Sequence, residues 1–136
     1  MKFYEVTRHI AANPDTVWST LTKREALLNN TGITRLDGTL TDGGKITLYS
    51  DVSPRPFKLR VKLDAPRKMI WSGGMPFGLF KGERTFTLTP QNDGTGFHMR
   101  EEFSGPMLGM IWKSMPDLQP SFEKFADCIT NQAEAA

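Results

Sequence analysis

The chain has 136 residues, 38% of them apolar and 24% charged, and a net charge of +2. That length predicts one domain over residues 1–136 with its own core, and a charge so near balance argues against nucleic acid as a partner. Cys128 is the only cysteine, which excludes an internal disulfide and a cysteine-rich metal site, and no window approaches the roughly 18 apolar residues of a membrane span.

The opening "MKFYEVTRHI" contains no uninterrupted apolar stretch of signal-peptide type, so a cytoplasmic protein is expected. Residues 3–10 read as a first strand. "NPDTVWSTL" then opens a helix: Asn13 caps it, Pro14 suits its first position, and Asp15 favours its positive end. Val17, Trp18 and Leu21 share one face of that helix and should dock on a sheet. "REALLNNTG" reads as a second short helix, ending near Asn30 to Gly32.

From there the period changes to two. A short strand is expected over Leu36–Leu40, then a turn at Asp42-Gly43-Gly44. Ile46, Leu48 and Val52 alternate with polar residues, in a strand that Pro54 and Pro56 are expected to break. Phe57, Leu59, Val61 and Leu63 alternate cleanly with Lys58, Arg60, Lys62 and Asp64. "RKMIWSGG" gives another strand; either Met69 and Trp71 or Ile70 faces inward, and the first pair is favoured. After a "GMPFG" loop comes a strand over 80–89, with Phe86 and Leu88 on the face of Arg84, and then a loop, "PQNDG". In "GTGFHMREEFSG" Phe97, Met99 and Phe103 share a face, and the alternation places Glu101 on that same apolar face.

The last third returns to helical spacing. Leu118, Phe122, Phe125 and Ile129 make one apolar stripe. Pro116 and Pro120 forbid a single regular helix from Pro106 onward, which leaves a loop or short helix at 106–114 and a main helix from about 117 to 134. Strand, two short helices, a run of about six strands and one long helix make an α+β protein with an antiparallel sheet. The stripe of the long helix must be buried, and the concave face of a curved sheet is the available place.

This order, with Ile10, Ala12, Pro14, Val17, Trp18 and Leu21, then "GGKI", the tryptophan of "MIWSGG", "LFKGERTFTLTP" and "GTGFHMREEFSG", resembles the START-like superfamily, also called SRPBCC, with its polyketide cyclase/dehydrase-type members. The resemblance covers nearly the whole chain. It implies a helix-grip fold, in which a curved seven-stranded antiparallel sheet wraps around a long C-terminal helix, and an apolar ligand held in a cavity between the two.

Glu101 is the residue this picture has to explain, because a lone carboxylate in an apolar interior is costly. If strands 80–89 and 95–104 form a hairpin, a turn at Asp93-Gly94 makes Arg84 the diagonal neighbour of Glu101. A turn at Asn92-Asp93 puts the two directly opposite. Either register lets the charges meet. The pair is then a structural ion pair, a polar handle for a ligand, or the site of an acid or base; a bulge that turns Glu101 outward is the remaining alternative.

The expected lining is Leu48, Phe57, Leu59, Val61, Met69, Trp71, Phe86, Met99 and Phe103 from the sheet, with Phe122, Phe125 and Ile129 from the helix and Arg84 and Glu101 as the polar contact. Met107, Leu108, Met110, Ile111 and Trp112 form an apolar cluster that is a lid, ordinary packing, or a homodimer patch through Met107–Met115. His9 and His98 lie on polar faces without metal-ligand spacing, Cys128 has no activating histidine, and Lys58, Arg60 and Lys62 read as a solvated strand face. No metal and no cofactor is expected. The favoured role is binding of a small hydrophobic molecule such as a lipid, polyketide or aromatic metabolite. The alternatives are a cyclase or dehydratase using Glu101 with Arg84 and Tyr49, and a protein-interaction module like the chaperone-ATPase activators of the superfamily.

Overall fold

The computed structural model describes all 136 residues. Strand β1 (Lys2–Ile10) leads into helices α1 (Pro14–Leu21) and α2 (Arg24–Leu28). Six strands follow: β2 (Ile33–Gly38), β3 (Lys45–Ser50), β4 (Ser53–Asp64), β5 (Lys68–Gly74), β6 (Lys81–Gln91) and β7 (Gly94–Ser104). A 3-10 turn at Pro76–Gly78 lies between β5 and β6, and helices α3 (Leu108–Ser114) and α4 (Gln119–Ala135) end the chain. The sheet order is β1-β7-β6-β5-β4-β3-β2, with every neighbouring pair antiparallel. This is the helix-grip architecture: α4 is held against the concave face of a seven-stranded sheet.

Local chemistry explains the start. The Asn13 side chain accepts from the Thr16 amide at 2.9 Å, Pro14 stands where no amide partner is needed, and Asp15 lies in the first turn. Val17 and Leu21 are fully buried, whereas Trp18 is only half-buried at the border of the core. The α4 stripe is buried as its period requires, through Phe122, Phe125 and Ile129, and Pro120 sits in the first turn of α4, where it does no harm. Phe125 meets Phe86 with ring centroids 6.0 Å apart, and Phe86 meets Trp71 edge-on at 4.8 Å.

Four expectations are corrected. The strand at Leu36–Leu40 begins earlier, at Ile33, because Ile33 and Leu36 both enter the core across a register shift. Pro54 and Pro56 do not interrupt the sheet, since both lie inside β4. Ser50 pairs with Ser53 and Leu48 with Phe57, so residues 54–56 bulge opposite Tyr49 alone, where no ladder amide is required. Val52 consequently belongs to the turn and is exposed rather than alternating inward. "PQNDG" is mostly strand too: Gln91 pairs with Gly94 across an Asn92-Asp93 turn. Gly94 is required there, since a Cβ at that position would lie 2.1 Å from the Ile10 carbonyl oxygen.

The outer face of β1 and β7 carries a charge network. Glu5 accepts from the Arg100 guanidinium at 2.6 Å and meets His98 Nε2 at 3.2 Å, while Arg100 Nε donates to Glu102 at 2.9 Å. The hydrogen bond from His98, with that from Arg100, holds the Glu5 carboxyl below its ordinary value.

Two outcomes test these assignments. Asn13→Ala should lower stability by about 1 kcal/mol in urea unfolding, through loss of the cap. The lowered pKa of Glu5 stabilises the fold above the ordinary glutamate range, and that contribution disappears as pH falls through the folded value. Glu5→Gln should therefore unfold more easily than the unsubstituted chain at neutral pH, with the difference closing in acid.

Candidate ligand-binding site

The β6–β7 register decides the site. Arg84 lies directly opposite Glu101, as the Asn92-Asp93 turn requires, and no bulge interrupts the pairing from Lys81 to Gln91. Trp71 of β5 pairs with Arg84, Val61 of β4 pairs with Trp71, and Tyr4 of β1 pairs with Glu101. One cross-strand row on the inner face thus runs Val61, Trp71, Arg84, Glu101, Tyr4.

Glu101 faces inward, its side chain only 17% exposed and that of Arg84 21%. Arg84 Nε donates to Glu101 Oε1 at 2.9 Å, and its terminal Nη2 reaches the same oxygen at 2.8 Å. The guanidinium carbon also stands 4.6 Å from the centroid of the Phe122 ring, so Arg84 is held between a carboxylate and an aromatic face of α4. Glu101 Oε2 accepts no hydrogen bond from the chain. It lies over Gly82, where an added Cβ would come within 3.0 Å of it. A glycine at this position is what lets the carboxylate lie flat against β6.

Beside the pair is a cavity of about 420 Å³ between the sheet and helices α3 and α4. Leu48, Phe57, Leu59, Trp71, Arg84, Glu101 and Phe103 line it from the sheet, and Phe122 and Phe125 from α4. Arg84 and Glu101 are the only ionisable side chains on its wall. Trp71 is buried, yet its indole N–H has no acceptor, and the buried Ser50 hydroxyl has no partner either. Both residues are on the cavity wall. Exposed Val52, Pro54 and Phe57 on one side and Ser114 and Pro116 on the other place the mouth between the β3–β4 turn and the α3–α4 link.

Five residues expected on the wall lie elsewhere. Val61, Met69, Phe86, Met99 and Ile129 are completely buried and do not reach the cavity. Val61, Met69, Phe86 and Met99 share the inward face with the residues that do, and Ile129 lies on α4 itself; all five are packed into the core. Alternation identifies the inward face and not which part of it the helix leaves bare. Tyr49 is also misplaced as an acid–base candidate: it lies off the cavity, with the Arg35 guanidinium 5.2 Å from its ring centroid.

The rim is formed by residues that no sequence period marks. Thr31, Gly32 and Ile33, Ser50, Ser53 and Pro54, Phe80, and Ser121 all contribute. They come from turns and element ends, where neither period applies. Of the Met107–Met115 cluster, Ile111 and Met115 join the wall and Trp112 stacks on Tyr4 at 5.4 Å, while Met110 alone is strongly exposed. Elsewhere, the His9 ring meets Gln91 and Asp93, and Cys128 donates to the Asn30 carbonyl at 3.0 Å. Burial pushes the Cys128 thiol up, away from the reactive thiolate form. No helix is long and apolar enough to cross a membrane.

Comparison with known proteins places this geometry. No curated protein sequence matches the chain. Among solved structures, protein MLL2253 from Mesorhizobium loti superposes with a TM-score of 0.75 at 18% identity, covering 99% of this chain and 98% of that one. TTHA0849 from Thermus thermophilus gives 0.76 at 16% identity, with 98% of each chain covered. The Zhui aromatase/cyclase from a Streptomyces species gives 0.75 at 14% identity, covering 98% of this chain and 93% of that one. At such identities the likeness concerns the fold. Residues 1–127 match the family described as polyketide cyclase / dehydrase and lipid transport, and the chain belongs to that family.

Proposed function

We propose that the protein binds a small, uncharged, mostly apolar molecule bearing oxygen, held in the cavity between the sheet and α4. The observation that carries this reading is an open, mostly apolar cavity two of whose lining residues, Trp71 and Ser50, hold buried polar atoms that the chain leaves unpartnered. A buried donor without a partner costs roughly 1–3 kcal/mol, and a guest that supplies an acceptor recovers it. The volume falls within the roughly 300–1,000 Å³ of small-molecule pockets.

The charge of the guest follows from the ion pair. The positive charge of Arg84 is already balanced by Glu101, so an anionic guest would meet no free cation and would lie beside the carboxylate. A neutral guest with a carbonyl, ether or hydroxyl oxygen suits the Trp71 donor, and a hydroxyl suits the free Glu101 Oε2. The apolar remainder is held by Leu48, Leu59, Phe103 and Phe125, at about 25 cal/mol per Å² removed from water.

A cyclase-type role is the second reading. The observation that favours it is Glu101 Oε2, an inward carboxylate oxygen with no donor from the chain, where a base could take a proton from a bound molecule. The family and the aromatase/cyclase with the same fold are compatible with both readings.

Calorimetric titration with 2-naphthol as a neutral probe and 2-naphthoate as its anionic counterpart tests the proposal. Uptake of the first and a much weaker response to the second are expected; equal binding, or none to either, would sink it. Trp71→Phe should weaken 2-naphthol by roughly tenfold through loss of the N–H. Glu101→Gln should leave most of that affinity, whereas a base would lose turnover by orders of magnitude. Arg84→Met leaves a half-buried carboxylate alone and should cost about 2 kcal/mol in urea unfolding, less than a fully buried pair would. Adding Glu101→Leu to it should restore much of that loss.

A further inference from the structure

The convex face of the sheet, turned away from α4, is divided by charge. Alternate side chains of every strand point to it. Lys58, Arg60 and Lys62 of β4 are all exposed there, and Lys45 of β3 stands directly opposite Arg60. Lys68 of β5 lies beside Asp64 at the far end of β4. None of these five cations takes part in an ion pair. Their neighbours on the strip are the uncharged Thr47, Ile70 and Ser72. Across β6, β7 and β1 the same face is acidic instead, with Glu83, Glu102 and Glu5. Those acids are engaged locally: Lys81 meets Glu83 at 3.4 Å, and Arg100 meets Glu102 at 2.9 Å and Glu5 at 2.6 Å.

The basic strip does nothing evident for the fold. Like charges side by side on a sheet repel. Lysines often guard a bare strand edge, but Arg60 pairs with Lys45 on one side and Ser72 on the other, so it guards none.

The spacing of the cations selects a partner. Successive cations of β4 are two residues apart, about 6.6–6.8 Å along the strand. Four residues of an α-helix rise about 6.0 Å. A helix laid along β4 with a carboxylate at every fourth position therefore meets Lys58, Arg60 and Lys62 one for one, with Lys45 flanking the middle contact. The widths agree as well. Strands β3 to β5 span about 10 Å, and a helix with its side chains is about 10–12 Å across.

We propose that the convex face of β3, β4 and β5 docks an acidic α-helix of a partner protein, laid along β4. A nucleic-acid duplex matches the strip less well. Its phosphates recur about every 3.4 Å along each strand, twice as densely as the cations, and a net charge of +2 gives little field to steer it. A polyanion wider than the strip also reaches Glu83 and Glu102. A second copy of this chain would bring a face on which cations outnumber acids. The opposite faces of β3 and β4 line the cavity through Leu48, Phe57 and Leu59, so a helix docked here leaves the mouth uncovered. Docking stands on charge and spacing and does not require the guest proposed above.

Fluorescence anisotropy of the full chain with a labelled, alanine-rich helical peptide of about 20 residues, bearing glutamate at every fourth position, tests it. Binding is expected, and raising the salt from about 0.05 to about 0.2 M should weaken it roughly tenfold. An isomer with the same residues but its glutamates spread around the helix should bind roughly tenfold more weakly. Arg60→Glu should weaken the first peptide at least tenfold without changing the melting temperature. Lys23→Glu makes the same change in net charge beside α2, off this face, and should alter binding less than about twofold. No binding, equal binding of the two isomers, or equal losses in the two variants would overturn the proposal. So would tighter binding of a DNA duplex at the same salt, since that assigns the strip to nucleic acid. Titration of Arg60→Glu with 2-naphthol reads the cavity separately, so loss of docking and loss of guest binding are told apart.

Discussion

One helix cannot cover seven strands. Strands at about 4.8 Å spacing make a sheet roughly 29 Å across, and a helix with its side chains is about 10–12 Å wide. The chain meets this mismatch by curling the sheet and by placing α4 nearest β1, at one side of the concavity. Under α4 and the first helices the inward side chains pack completely, as Phe86, Met99 and Ile129 do. Toward β3, β4 and β5 neither α4 nor the short α3 fills the space, and that is where the cavity lies.

The Arg84–Glu101 pair sits where these two regimes meet. On its helix side Arg84 rests on Phe122; on its other side it faces the cavity with Trp71 next in the row. A charge pair placed there holds α4 to β6 by a contact that tolerates water, and so does not depend on the cavity being filled. It also fixes the polarity of the wall. With the two charges compensating each other, what remains is a set of dipoles: an indole N–H, a serine hydroxyl, one carboxylate oxygen. Such a surface discriminates by hydrogen bonding more than by net charge.

Much of this was legible in the residues, because the fold is built on strict periods. The alternation of β4 and β7 and the i, i+4, i+7 stripe of α4 fix which side of each element is buried, and parity puts Arg84 and Glu101 on one face, opposite or diagonal according to which two-residue turn forms. The cavity itself obeys no period. Leu59 and Val61 are two residues apart on one strand and face the same way, yet Leu59 lines the cavity and Val61 is sealed in the core. The difference is what packs over each side chain, which no local pattern encodes. The rim residues were illegible for a related reason. Ser50, Thr31 and Ser121 are ordinary turn or cap residues in sequence, and they become wall only when three distant segments converge.

The bulge at Pro54 and Pro56 has a further consequence. Pairing with β5 begins only at Arg60, so the first half of β4 has β3 on one side and no strand on the other. A bare margin of this kind is where foreign chains ordinarily add themselves and fibrils begin. Two missing amides and a broken pleat leave no regular ladder to copy. The entrance to the cavity can stay unroofed without turning the molecule into a template for its own polymerisation.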